Sequence, residues 1–149
     1  MDIADPSTPR WIQRFSNFDR AIILLREGVE LAFAPGAHPI LLEALVKRFE
    51  YSWELAWKTL KDYLIYDQVT STKITAAEAI RTAFAAGYIA RGQDWMNALE
   101  ARNAMSHIYS RDMFERVTID IRDSYLGILE ELHETLMTAR AEWDVGDRH

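Results

Sequence analysis

RFEYSWELAWKTLKDYL, residues Arg48–Leu64, carries Phe49, Trp53, Trp57, Leu60 and Leu64 at steps of three and four. That period gathers large apolar groups on one stripe of an α-helix. Glu54 and Lys58 are left as a supporting i,i+4 pair outside it. Upstream, Leu41 and Leu45 extend the stripe, which predicts a helix from about Pro39 to Asp67. Stripes of this kind are core, so Phe49, Trp53 and Trp57 are assigned to packing rather than to a stacking platform.

The same period recurs on both sides. Trp11, Phe15, Phe18, Ile22 and Leu25 predict a first helix, capped by Thr8 with Pro9 as its first residue and ending near Ala34 before Pro35-Gly36. Thr75-Ala76-Ala77-Glu78 is a capping box that opens a short third helix through Ala79, Ile80, Ala83 and Phe84, with Gly87 ending it. Asp94 is the expected cap of a fourth helix bearing Trp95, Ala98, Leu99 and Met105, which should end near Tyr109 or Ser110. Asp112 with Glu115 predicts the cap of a fifth, striped by Val117, Ile121, Tyr125, Ile128, Leu132 and Leu136. No stretch alternates with period two long enough to be a strand. The expected fold is all-α: an antiparallel up-and-down bundle of four to five helices in a single domain over residues 1–149, with 1–8 and 144–149 as flexible ends.

Composition narrows the function classes. Lys and Arg number 17 against 23 Asp and Glu, a net charge of -6, and the pI is about 5.2. Such a balance argues against a general nucleic-acid coat and confines any nucleic-acid chemistry to a small site. The chain has no cysteine, so disulfides and thiolate metal sites are excluded. The opening MDIADPSTPRW has neither a basic n-region nor an apolar h-region, and no apolar run approaches a membrane span. A cytoplasmic protein with no membrane partner is expected.

Four histidines, His38, His107, His133 and His149, show no helical metal-ligand spacing, and no metal site is expected. His38 reads as a residue that caps or precedes a helix. Glu43, Glu50, Glu54, Asp62 and Glu130 read as solvated helix faces. Neither a Gly-rich phosphate loop nor a G-x-S-x-G elbow is present, and no cofactor is expected. One segment remains, RNAMSHIY at Arg102–Tyr109. Cations near a helix end suit its dipole, which alone would account for an Arg and a His there. Continued as an α-helix, however, the segment puts Arg102, Ser106 and Tyr109 near one azimuth and Asn103 and His107 on a neighbouring one. That makes it a candidate site.

Read as R-x4-H-x-Y, the segment Arg102, His107 and Tyr109 resembles the signature of the HEPN superfamily. The chain more closely resembles the nucleotidyltransferase substrate-binding subunits, also discussed as HepT-like toxins. The resemblance extends over RFEYSWELAWKTLKDYL and over AIRTAFAAGYI at Ala79–Ile89, in the family's order. It implies a helical bundle, a homodimer, and a small nucleotidyltransferase of the MNT type as partner. It also implies metal-independent action on RNA by Arg102 and His107, with adenylylation of Tyr109 by the partner silencing the toxin. The family's older name implies instead a subunit that only presents substrate to the nucleotidyltransferase. The chemistry of the first reading is coherent. RNA carries its own nucleophile, the 2′-hydroxyl, beside the scissile phosphate. His107 would serve as general base or acid, a role contributing roughly 10²–10⁴-fold. The Arg102 fork would stabilise phosphate charge. Asn103 stands one turn from His107, where it could orient it, and Ser106 is either a contact or a helix-end polar residue.

Overall fold

A computed structural model describes residues 7–147. The outermost residues of both expected flexible ends, and His149 with them, lie outside the described residues.

Two long helices form the frame. Helix α1 spans Arg10–Ala32 and α2 spans Ile40–Tyr66. They are antiparallel, because Arg10 and Arg14 at the start of α1 pair with Asp62 near the end of α2, while Arg48 near its start reaches Glu27. Between them the chain turns through Gly36 at φ +77°, a backbone that favours glycine. Pro39 holds the cap position of α2, and His38 just before it accepts a hydrogen bond from the Ile40 N–H on Nδ1 at 3.1 Å. At α1 the expected cap moves by one residue: Pro9 occupies the cap position, without a side-chain bond, and Arg10 is the first helical residue.

Helix α3, Ala76–Ala85, opens on Thr75, whose hydroxyl accepts from the Glu78 N–H. Helix α4 spans Gly92–Ala104 and corrects the expectation for Asp94. Arg91, in the left-handed region at φ 53°, holds the cap position. Asp94 lies inside the first turn, where its carboxylate faces the helix N-terminus and pairs with Arg91. A single 3₁₀ turn, Met105–His107, follows α4. Helix α5 spans Arg111–Asp120 and is capped by Ser110, whose hydroxyl accepts from the Met113 N–H at 3.3 Å. Asp112 is therefore a first-turn residue and not the cap. A π-helical turn over Ile121–Tyr125 joins α5 to α6, Leu126–Asp147, in one long rod. This rod runs antiparallel to α1, with Arg26 against Glu130 and Asp19 against His133. It continues through 144–147, residues expected from the sequence to belong to a flexible end.

The architecture is an all-α bundle, with no strand among the described residues. Trp11, Phe15, Phe18, Ile22 and Leu25 meet Leu45, Phe49, Trp53, Leu60 and Leu64 of α2, and all of these are buried. Ile121, Tyr125, Ile128, Leu132 and Leu136 close the third side. Full burial of each large apolar side chain stabilises by about 1.5–3 kcal/mol relative to exposure, so these stripes dominate the fold. Leu41, Trp57, Leu99 and Val117 of the expected stripes are only half-buried, the last three packed against the core, and Phe84 is exposed, its ring covering Gly92.

Candidate functional site

The helix expected to carry RNAMSHIY breaks inside it. Arg102 and Asn103 belong to the last turn of α4, Ser106 and His107 to the 3₁₀ turn, and Ile108 is extended at φ -89°, ψ 115°. A 3₁₀ turn advances three residues per turn rather than 3.6, so the α-helical azimuths hold only as far as Ala104. Met105 is buried at this junction and anchors it to the core. Tyr109 follows the extended residue, and the shared azimuth with Arg102 expected from the sequence is lost. Its ring stands 80% exposed. Asn103, Ser106 and His107 are also exposed, and no hydrogen bond joins Asn103 to His107 among the described residues.

Arg102 is the tethered member. Its guanidinium lies against α2, with Nη2 3.6 Å from Glu54 Oε1. Nε is buried without a hydrogen-bond partner, a donor whose desolvation an acceptor would offset. Glu54 is shared further: it pairs with Lys58 at 3.5 Å and accepts from the Trp57 indole N–H at 3.2 Å. The Glu54–Lys58 pair is legible in the sequence as i,i+4 spacing. The pairing of Glu54 with Arg102 is not, because 48 positions separate them (102 minus 54).

Asp62 departs furthest from its reading as a solvated carboxylate. It is buried, with Arg14 at 3.3 Å, Arg10 at 3.8 Å and Lys61 at 4.0 Å. His133 is likewise engaged, its Nε2 2.6 Å from Asp19 Oδ1 and its ring stacked on Phe15. Among the described residues no group of three or more His, Asp or Glu side chains is placed to hold a metal ion.

Tyrosines differ sharply in their surroundings. Burial raises the Tyr125 hydroxyl above its ordinary pKa, helped by Asp120, Asp94 and Glu100, and the hydroxyl faces the Asn97 carbonyl. Burial, with Asp67 and Glu142 next, raises Tyr63. Tyr88 donates to Asp67, which pushes its pKa up to about 12. Tyr109 borders a cleft of about 310 Å³ lined by His38, Ile40, Glu43, Arg111 and Phe114 among others. Neither Arg102 nor His107 lines that cleft.

Fold and junction together define an all-α bundle with an exposed ledge, the RNAMSHIY segment, at the break between α4 and α5. The sequence profile of the family described as nucleotidyltransferase substrate binding protein like matches residues 13–138, and the chain belongs to that family. In the fold, it is similar to a solved structure from Haemophilus influenzae, described as the fold of a substrate binding domain of a nucleotidyltransferase. The two align with a TM-score of 0.62 at 23% identity, over 85% of this chain and 96% of that one. No curated protein matches the chain in sequence. No helix among the described residues is long and apolar enough to cross a membrane.

Proposed function

We propose that this chain is the HEPN-type subunit of a two-component nucleotidyltransferase system, acting in the cytoplasm as a metal-independent ribonuclease toxin that its nucleotidyltransferase partner silences by adenylylation of Tyr109. The observation that carries the reading is the exposed ledge: Tyr109 stands 80% in solvent, and His107, two residues before it, is exposed as well. In the cleavage step the 2′-oxygen bonds to phosphorus as the bond to the 5′-oxygen breaks. His107 moves the proton involved, taking it from the 2′-hydroxyl or giving it to the leaving oxygen. Arg102 supplies the positive charge of its guanidinium to the phosphoryl oxygens. One chain offers one Arg and one His at an open surface, so the competent form is a homodimer that brings two ledges together.

Silencing uses the exposed phenol. The Tyr109 oxygen attacks the α-phosphorus of ATP on the partner, pyrophosphate leaves, and the new phosphodiester adds negative charge and bulk to the ledge. Tyr125 is the wrong acceptor, since it is buried and its hydroxyl faces a carbonyl. The alternative is a non-catalytic subunit that presents substrate to the nucleotidyltransferase. It is favoured by the family's description and by the pairing of Arg102 with Glu54, which occupies part of the guanidinium.

The test has two arms. The protein incubated with its neighbouring nucleotidyltransferase, ATP and Mg²⁺ gains one AMP on Tyr109, and Tyr109→Phe gains none. Separately, wild type cleaves RNA and arrests growth in EDTA-insensitive fashion, while Arg102→Ala and His107→Ala retain helical content and lose both activities. RNA left intact by wild type, with growth unaffected, selects the presenting subunit. Loss of cleavage in EDTA rejects the metal-free mechanism.

A further inference from the structure

Spacing assigns Trp57 to the core, yet it is only half-buried where it packs against that core. Two ammonium groups lie over its ring, Lys58 Nζ at 6.0 Å and Lys61 Nζ at 5.7 Å from the centroid. Lys58 leads through Glu54 to Arg102 of the ledge. Lys61 leads through Asp62 to Arg14 and Arg10. The side chains thus form a strip, a continuous series of ion pairs and ring contacts from the motif, along α2 and through buried Asp62, to the start of α1. It holds five cations (Arg10, Arg14, Lys58, Lys61, Arg102) and two carboxylates (Glu54, Asp62). That local excess of positive charge inverts the net charge of -6 carried by the whole chain. Upstream on the same side of α2, Lys47 and Glu50 add one charge of each sign.

We propose that an RNA strand held at Arg102 continues along this strip, its phosphates on Lys58 and Lys61 and a base against Trp57. The proposal rests on the reading of the chain as an RNA-acting subunit and names where the rest of the strand lies. Glu54 and Asp62 are eight residues apart (62 minus 54), about 12 Å along a helix. Over that length an indole stands beside two cations, the pairing of stacking surface and backbone charge by which single strands are held without sequence preference. An acidic protein face would satisfy the lysines but has no use for the ring beside them, so RNA is the occupant the chemistry favours. Arg102 alone reads one phosphate, whereas the strip gives the site direction, with the strand leaving toward the start of α1.

The experiment uses the full chain carrying His107→Ala, which stops cleavage, and a fluorescent single-stranded oligouridylate. Anisotropy is read between about 50 and 200 mM salt. Lys58→Gln with Lys61→Gln should weaken binding about ten-fold or more and make the log–log salt slope shallower by about 1.4, roughly 0.7 for each phosphate no longer neutralised. Lys58→Arg with Lys61→Arg restores both. Trp57→Phe retains more affinity than Trp57→Leu, and Arg26→Gln, on the α6 side of α1, changes nothing. Circular dichroism of each variant separates a missing cation from a missing fold, and the charge-retaining pair keeps the conclusion open to refutation if the glutamine pair unfolds. RNA bound equally well by the glutamine pair overturns the strip while leaving the RNA reading intact. The glutamine pair losing only the nucleotidyltransferase overturns it in favour of a protein-docking face. Oligouridylate that fails to bind the His107→Ala parent removes both readings.

Discussion

Glu54→Gln should tighten RNA binding at the ledge. The carboxylate stands 3.6 Å from Arg102 Nη2 and 3.5 Å from Lys58 Nζ, so it holds both cations against α2 and competes with any phosphate for them. At an effective dielectric of about 20, a unit pair at that separation interacts by about 5 kcal/mol. That is a ceiling. Side chains of Arg102 and Glu54 are 31% and 36% exposed, and exposed pairs contribute about 0.2–1 kcal/mol once solvent and entropy act. Releasing Arg102 should thus raise affinity for a short single-stranded RNA by up to about five-fold, since about 1.4 kcal/mol is ten-fold. The amide keeps an oxygen for the Trp57 indole N–H, now 3.2 Å from the carboxylate, so the ring stays in place. Stability should fall by less than about 1 kcal/mol. Anisotropy titrations of the His107→Ala protein with and without Glu54→Gln read the effect, and urea unfolding reads the cost. Weaker binding in the Gln variant would mean that Glu54 positions Arg102 rather than masks it, and would refute this reasoning.

Two further outcomes concern the scaffold. Leu60→Ala, at a fully buried position of α2, should cost about 2–5 kcal/mol through forfeited transfer energy and the cavity left behind. Urea unfolding at fixed protein concentration checks it, and a cost under about 1 kcal/mol would mean that the bundle collapses around the gap. Tyr88→Phe removes the bond to Asp67, worth no more than about 1 kcal/mol at this well-solvated position. Because the phenol is raised from 10.0 to about 12 in the fold, its contribution is full below pH 10 and fades as pH rises toward 12. Wild type and variant should therefore differ in stability at pH 8 and converge near pH 12. A difference that persists there would point to ring packing instead.

The helical fold and its core stripes follow from the sequence itself. Apolar side chains at steps of three and four can be buried together only on a helix, so Phe15, Phe49, Trp53 and Leu132 declare their shared interior by spacing alone. The cap at Thr75 is equally legible, because Glu78 lies within one turn of it. RNAMSHIY stands out because its polar groups interrupt an apolar period. Tertiary structure decided the rest. Asp62 is buried rather than solvated since its partners Arg10 and Arg14 come from another helix, and charge pairing across the chain leaves no periodic trace. The Arg102–Glu54 pair is of the same kind. Buried Met105 and extended Ile108 set where α4 stops, which puts the cap of α5 at Ser110 and carries Tyr109 off the helix. Local sequence sets helical period and turn chemistry over a few residues. Which charges meet, and which way a junction turns, depends on surfaces that come together only when the whole chain packs.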